Sequence, residues 1–306
     1  MMGFLRRAAA LPLIMLGVSV AVFVAIHALP GDPARLLAGQ QAPEAAVAAL
    51  RHRLGLDLPL PAQYWRFLLH ALHGDFGLSL RNGVPVATLV LGRLPYSLAL
   101  GGLAYMLALL VGIPGGIVAA ARAGSWADHL LTGLTLIGAS LAGFWVALLG
   151  MEVFAVRLHW LPLMGAGGWR HYVMPACVLA LLPAALILRM TRAGLVTVLR
   201  QDYIRTARAK GLSPRRVMLR HALPNALAPI IAVSALNIGS LISGAVVTET
   251  VFDWPGVARL LVDSVRYRDY PVIQGITLLS VLGVLLATLA ADAAIALLDP
   301  RQRRMS

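Results

Sequence analysis

The sequence predicts an all-α integral membrane protein of six transmembrane helices with both termini on the cytoplasmic side. Three observations carry that prediction: a shortage of charge, the recurrence of uncharged stretches of span length, and the clustering of basic residues at one set of span ends. The chain has 306 residues, of which 59% are hydrophobic and only 13% charged. Its mean hydropathy is +0.80. A soluble domain carries ~25% charged residues, so this chain has about half the charge needed to cover a water-facing surface. A disordered chain, a disulfide-stapled mini-domain and an ordinary soluble enzyme are excluded on that ground. The single cysteine, Cys177, excludes an intramolecular disulfide and a multi-cysteine metal site.

The spans follow in order. Ala8–Leu29 comes after Arg6 and Arg7. Its apolar core exceeds the ~7–15 residues of a secretory signal, and Ile26 spoils a small-x-small cleavage site, so it reads as a retained span. Leu94–Ala121 lies between Arg93 and Arg122, and Leu130–Met151 between His129 and Glu152. Tyr172–Leu188 is short, and its helix is expected to run on past Arg189 and Arg192, whose long side chains reach the interface by snorkelling. Asn225–Thr248 and Tyr270–Ala291 complete the set. About 20 apolar residues cross a ~30 Å hydrocarbon core. Backbone groups in lipid must be satisfied internally, and no barrel-like alternation is present, so these stretches are helices.

Between the first two spans, Gly31–Arg93 contains two amphipathic helical stretches, Pro43–Leu54 and Ala62–Leu72, then turns at Gly74–Gly77 and Asn82–Pro85. Two readings stand for this segment: packing on the membrane surface, or a docking surface for an external partner. Tyr64, Trp65 and Phe67 read as interfacial anchors.

Orientation comes from the arginines. Arg6 and Arg7, the segment 189–220, and Arg301, Arg303 and Arg304 all fall on one side of a six-span chain. The segment 189–220 carries Arg189, Arg192, Arg200, Arg205, Arg208, Lys210, Arg215, Arg216 and Arg220 against one acid, Asp202. The opposite side is balanced, so the basic side is cytoplasmic. The net charge of +13, from 26 Lys and Arg against 13 Asp and Glu, is thereby a topology signal and calls for no nucleic-acid partner.

Groups that would support chemistry are missing. The only lysine, Lys210, lies between Ala209 and Gly211, so there is no phosphate-binding loop. No His-Glu-x-x-His pair and no Gly-x-Ser-x-Gly elbow occurs. His27, His129, His159 and His171 read as interfacial residues rather than ligands, and Cys177 as a packed thiol in an apolar helix. No acid or base stands in the middle of a span. Glu152, Glu249, Asp269, Asp292 and Asp299 are at span ends or outside, Asp292 being nearest to an exception and read as structural. An intramembrane enzyme or an ion-coupled carrier needs a mid-span polar constellation. No catalytic residue, metal site or cofactor is therefore expected, and energy for transport must come from elsewhere. Small-residue pairs such as Gly112–Gly116 and Gly239–Gly244 allow close helix approach.

The informative segment is Gln201–Pro224. A helix through Lys210 stops at Gly211, the residue best able to take a left-handed cap. Ser213 then stands as N-cap and Pro214 as first residue of a second short helix. Leu223-Pro224 ends that helix and leads into the fifth span. Val217, Met218, His221 and Ala222 fall at helical spacing opposite Arg215, Arg216 and Arg220. A protruding helix with such a stripe suits insertion into a groove on another protein. The competing reading is a basic loop lying on anionic membrane lipid.

This loop resembles the Glu-Ala-Ala-x-x-x-Gly…Leu-Pro motif of binding-protein-dependent ABC importer permeases. Gly211 and Leu223-Pro224 fall at the family's spacing and Ala207 matches the second Ala, while Arg205 and Thr206 replace the Glu and first Ala, as in the peptide/nickel branch. Leu29-Pro-Gly-Asp-Pro33, Leu54-Gly-Leu-Asp57, Gly74-Asp-Phe-Gly77, Trp160-Leu-Pro162, Glu249-Thr-Val-Phe-Asp-Trp-Pro-Gly256 and Arg268-Asp-Tyr-Pro-Val-Ile-Gln274 agree with that branch, in order along the chain. Ala258 stands where such permeases usually have Gly.

The resemblance implies a type I ABC importer permease fold. It implies three parts: an N-terminal helix with external segment over 1–93, a permease domain over 94–299 with its coupling loop at 199–224, and a basic tail over 300–306. The implied partners are a sister permease subunit, cytoplasmic ATP-binding subunits and a periplasmic substrate-binding protein, with ATP hydrolysis outside this chain. The implied ATPase-docking residues are Arg205, Thr206, Ala207, Arg208, Gly211, Ser213, Pro214, Val217, Met218, His221, Leu223 and Pro224. The implied substrate is a small peptide (dipeptide, oligopeptide or glutathione), with nickel or a nickel chelate as the alternative.

Overall fold

The computed structural model describes residues 2–28, 32–39, 41–226 and 245–298. Among them there is no β-strand, only an isolated antiparallel bridge between Leu78 and Pro85. The helices are α1 (Met2–His27), α2 (Pro33–Ala38), α3 (Glu44–Leu54), α4 (Leu60–Leu72), α5 (Val86–Ala121), α6 (Trp126–Ser140), α7 (Gly143–Gly150, prolonged by a π-helical Met151–Arg157) and α8 (Arg170–Leu199). There follow α9 (Asp202–Ala209), α10 (Pro214–Arg216, prolonged by a π-helical Val217–Ala222), α11 (245–251), α12 (Val257–Arg266) and α13 (Tyr270–Leu298).

Three described helices are long and apolar enough to cross a membrane: α5, α8 and residues Tyr270–Ala290 of α13. The third expected span is not a straight helix. The chain is bent by 98° between α6 and α7, where Leu141 and Ala142 are extended. Gly138, Ser140 and Gly143 flank the break, and such residues support a helix poorly. The pair counts as a fourth span when taken together. In α1 the apolar part is Leu11–His27. Most of the fifth expected span lies outside the described residues, as do Gly239–Gly244 and Asp299. Asp292 lies on α13, but its side chain is not among those described. Large apolar side chains such as Leu98, Met106 and Leu110 of α5 are exposed on the helix surface, the reverse of a soluble protein and the expected arrangement against lipid.

The chain divides into two compact units, one comprising 1–4, 96–255 and 286–306, the other 5–95 and 256–285. In the first unit, α5 and α8 pack through small residues. A Cβ placed on Gly112, Gly115 or Gly116 would stand 2.8, 2.7 or 2.5 Å from side-chain atoms of Ile187, Leu188 and Thr191. The absence of those methyl groups is what lets the two backbones approach. Above that contact, Leu100, Ala104, Ala108, Ala176, Leu179, Ala180 and Ile187 surround the fully buried Trp254. The Trp254 indole donates to the carbonyl of Tyr96 at 3.2 Å, and its ring lies edge-on to Tyr172 with centroids 4.5 Å apart.

The second unit contains the segment between the first two spans. Both amphipathic stretches are helices, α3 and α4, and the left-handed Gly55 (φ +68°) closes α3. Gly74, Gly77 and Gly83 carry positive φ in the turns that follow. A core of Val86, Val90, Val257, Leu260, Val272 and Ile276 holds this unit together. Buried Asp269 organises it: the carboxylate accepts from the Ser79 hydroxyl and from the Leu80 amide at 2.9 Å. The Arg81 guanidinium stacks 3.7 Å from the Tyr267 ring centre. Gly256 takes the cap position of α12, so Ala258 lies inside a regular helical turn where no glycine is needed.

Candidate functional site

The basic segment between α8 and the fifth expected span is a helix–turn–helix. Past Arg200, an extended Gln201 (φ −73°, ψ 149°) redirects the chain, and Asp202 stands in the first turn of α9, where a carboxylate favours the positive end of the helix dipole. The helix ends at Lys210. Gly211 has φ +77° and donates to the carbonyl of Arg208 at 2.9 Å. Ser213 is extended and Pro214 takes the first helical position, so the backbone follows the expected cap. The Ser213 side chain makes no cap hydrogen bond, however. Its carbonyl accepts from Val217 at 3.0 Å instead.

Two expectations are corrected at α10. Leu223-Pro224 does not end the helix, because helical backbone continues over 223–226. The intervening turn is π-helical, and the amide of Leu223 donates to Met218, five residues back. Proline offers no N–H, and its ring crowds the carbonyl four residues earlier; widening the turn before it relieves that crowding without breaking the helix. The second correction concerns the apolar stripe. Val217, Met218 and Ala222 do not project outward. They are buried with Ile204 and Ala207 against Leu195 and Ala120 of the same chain, because an exposed helix this short is stable only when its apolar side packs against something.

What the segment shows to solvent is its other face: Arg205, Thr206, Arg208, Gly211, Ser213, Pro214, Arg215, Arg216 and Arg220 are exposed. Tyr203 and Leu219 are exposed among them, at 44% and 56%. His221 and Leu223 are half-buried and Pro224 is exposed. The expected docking residues thus divide into a surface set and an anchoring set, and the anchors bolt α9 and α10 to the end of α8.

Some polar pairings carry no local sequence signal. Arg192 does not snorkel. Its Nη2 donates to Asp128 Oδ2 at 2.7 Å while Nε donates to Oδ1, a two-point ion pair from α8 to α6. Asp128 is 2% exposed and also accepts from the Gly124 amide at 2.9 Å. A buried carboxylate needs such partners, yet their spacing of 64 residues leaves no local signal. Glu249 is fully buried and accepts from the Ser97 hydroxyl at 2.6 Å. Cys177 is exposed on α8, at the edge of the face that packs Ala176 and Ala180, rather than a packed thiol. His27 Nδ1 donates to the carbonyl of Phe23 at 2.8 Å, and its Nε2 lies 3.2 Å from the Gln63 side-chain amide.

The geometry offers a rigid basic platform and no reacting constellation among the described residues. Comparisons with known proteins agree in family. Residues 112–304 match the model of the binding-protein-dependent transport system inner membrane component, and residues 1–101 match that of the N-terminal part of such membrane components. The chain is 44% identical over 286 residues to the glutathione transport system permease protein GsiC of Escherichia coli strain K12, covering 94% of both chains. It is 44% identical over 299 residues to the protein of that name from Salmonella paratyphi A, covering 98% of both. Among solved structures, the inward-facing MetNI methionine ABC transporter aligns with a TM-score of 0.58 at 18% identity, covering 69% of this chain and 96% of that one. This last likeness is one of fold.

Proposed function

The chain belongs to the family of binding-protein-dependent transport-system inner membrane components, multi-pass ABC transporter permeases that are not themselves enzymes, and from that premise we propose that it imports a small peptide. Glutathione is the first candidate. The observation that carries this substrate is the 44% identity to glutathione permeases along nearly the whole chain. In this reading the chain is the first of two non-identical permease subunits, with six spans and both termini in the cytoplasm. It divides into 1–93, 94–299 and a tail over 300–306.

The family works with ATP-binding subunits and a substrate-binding protein. We propose that the exposed face of α9 and α10 is where the ATP-binding subunit docks, with Arg205, Thr206, Arg208, Gly211, Ser213 and Pro214 in contact and Tyr203 and Leu219 as apolar anchors. Ala207, Val217, Met218 and Leu223 act from beneath, by joining that face to α8. ATP binding closes the two ATPases and draws the loops of both permeases together. Because the platform is packed onto the end of α8, the displacement passes to the transmembrane helices as a rigid-body movement. The bundle then opens outward and accepts substrate from the binding protein.

Uptake into proteoliposomes that contain the whole complex tests this reading. Peptide accumulation is expected to require ATP on the ATPase side and to survive an uncoupler. Uptake without ATP, or its loss on adding uncoupler at constant ATP, overturns the mechanism.

A further inference from the structure

Helix α4 has the wrong face outward for a helix in water. Its apolar residues Trp65, Leu69 and Leu72 recur at helical spacing and are exposed, at 61%, 41% and 74%. Its polar residues turn the other way: Gln63, Arg66 and His70 line the cavity that α4 shares with α1 and the first turn of α13. Gln63 donates to the carbonyl of Leu58 at 2.8 Å, and His70 pairs with Asp75 at 3.0 Å. A helix on a water-facing surface has the opposite arrangement, apolar side in and polar side out. We propose that α4 is an interfacial helix, with Trp65, Leu69 and Leu72 set against the acyl-chain boundary of the outer leaflet.

The depth of α4 supports lipid as the occupant. The Tyr64 and Ser19 hydroxyls are hydrogen-bonded at 2.8 Å, and the Phe23 ring centre stands 5.3 and 6.3 Å from those of Tyr64 and Phe67. His27, at the end of α1, lies 3.2 Å from Gln63. Ser19 and His27 are about 12 Å apart along the helix axis, at 1.5 Å per residue. Helix α4 therefore lies beside the closing stretch of an apolar helix and not beyond its end. In a ~30 Å hydrocarbon core that stretch belongs to the outer half and its headgroup boundary. An apolar face turned outward at that level meets lipid. Interfacial helices bury such a face by ~5–10 Å. Tryptophan is favoured there because its ring is apolar while its N–H can stay wet.

The three aromatic residues of this helix are thereby sorted. Tyr64 and Phe67 pack on α1 through Phe23, and only Trp65 of the three points outward. An external binding protein that docks and departs would leave the stripe in water for part of every cycle, whereas lipid covers it throughout. This inference rests on the proposed reading of α1 as a span whose His27 end is external, and on nothing about substrate or ATPase.

Spin labelling of the full complex in liposomes tests it. The exposed Cys177 is first replaced by serine. Single cysteines then follow as Trp65→Cys, Leu69→Cys, Leu72→Cys, His70→Cys and Leu16→Cys, and each labelled chain is assembled with unlabelled partners. Labels at the three stripe positions are expected to collide with oxygen, to lose access to water-soluble chromium oxalate, and to lie roughly 5–10 Å below the lipid phosphates. The label at His70→Cys, on the cavity side of α4, is expected to meet chromium oxalate. Chromium access at the stripe, or the same response at all four positions, overturns the proposal. Shielding of the stripe from both oxygen and chromium puts a partner subunit there and also overturns it, as does loss of oxygen access on adding the binding protein. Should Trp65→Cys fail to assemble, Leu72→Cys, at the most exposed of the three positions, carries the test. Leu16→Cys on α1 is expected to lie deeper in lipid. If it meets chromium, the reading of α1 as a span fails and this inference with it. A deep Leu16→Cys beside a water-exposed stripe sinks this inference alone.

Discussion

Replacing Gly211 isolates backbone geometry from packing. Its φ is +77°, and a Cβ built there would have no atom within 4 Å. Space is available for a side chain, so only the left-handed conformation resists one. That conformation costs an L-residue ~1–2 kcal/mol, less for asparagine and more for a β-branched residue. The expected order of damage is therefore Gly211→Asn, then Gly211→Ala, then Gly211→Val, although asparagine is much larger than alanine. The chain relieves the strain by re-angling α10 against α9, which misplaces the surface offered to the ATP-binding subunit. If the full ~1–2 kcal/mol falls on docking, affinity drops roughly 5- to 30-fold. Co-purification of the ATP-binding subunit with each variant, and its affinity for the permease in detergent, reads this directly. Insertion and helix content stay as in the parent. A rank that follows side-chain volume, with asparagine worse than alanine, refutes the argument. So does normal docking by Gly211→Val.

Other outcomes are expected. Gly116→Ala, whose methyl would stand 2.5 Å from Thr191 Cβ, should destabilise the α5–α8 contact by roughly 1–3 kcal/mol in detergent melts. Gly102→Ala, with nothing within 4 Å, should not. Asp128→Asn and Arg192→Gln should each destabilise by about 1–3 kcal/mol, less than a fully enclosed pair because Arg192 is 34% exposed. Their double variant should cost clearly less than the sum, and strict additivity would show that the ion pair contributes nothing. Reporters at Gln63 and Pro214 should give external and cytoplasmic signals; an external signal at Pro214 would invert the assignment of partners. The His70 imidazole and the Gly77 amide hold the Asp75 carboxyl below its ordinary range. The order this lends the Gly74–Gly77 turn is thus complete above that range and lost as pH falls through the lowered value, which carboxyl titration by NMR would show.

Several features of this protein were legible in its residues alone. Periodicity and uncharged length marked the long helices, because lipid permits no other spanning backbone here. The left-handed turn at Gly211 and the proline-started helix at Pro214 were readable because both are local: a few residues' sterics decide them. The ordered family motifs were readable for the same reason. What needed the fold was every matter of facing and pairing. The stripe of Val217, Met218 and Ala222 had helical spacing, but spacing alone does not say whether a partner or the chain itself covers it, and here it is the chain's own α8 and α5. The bend between α6 and α7 lies within one uncharged stretch, invisible to hydropathy. The π-turn before Pro224 replaces the expected stop, since widening one turn relieves the ring's clash while the helix continues. Arg192 looked like an interfacial side chain until Asp128, 64 residues away, was brought to it. Local conformation is set by neighbours in sequence and so can be read there. Burial and charge pairing depend on which distant segments meet, and only the tertiary structure decides that.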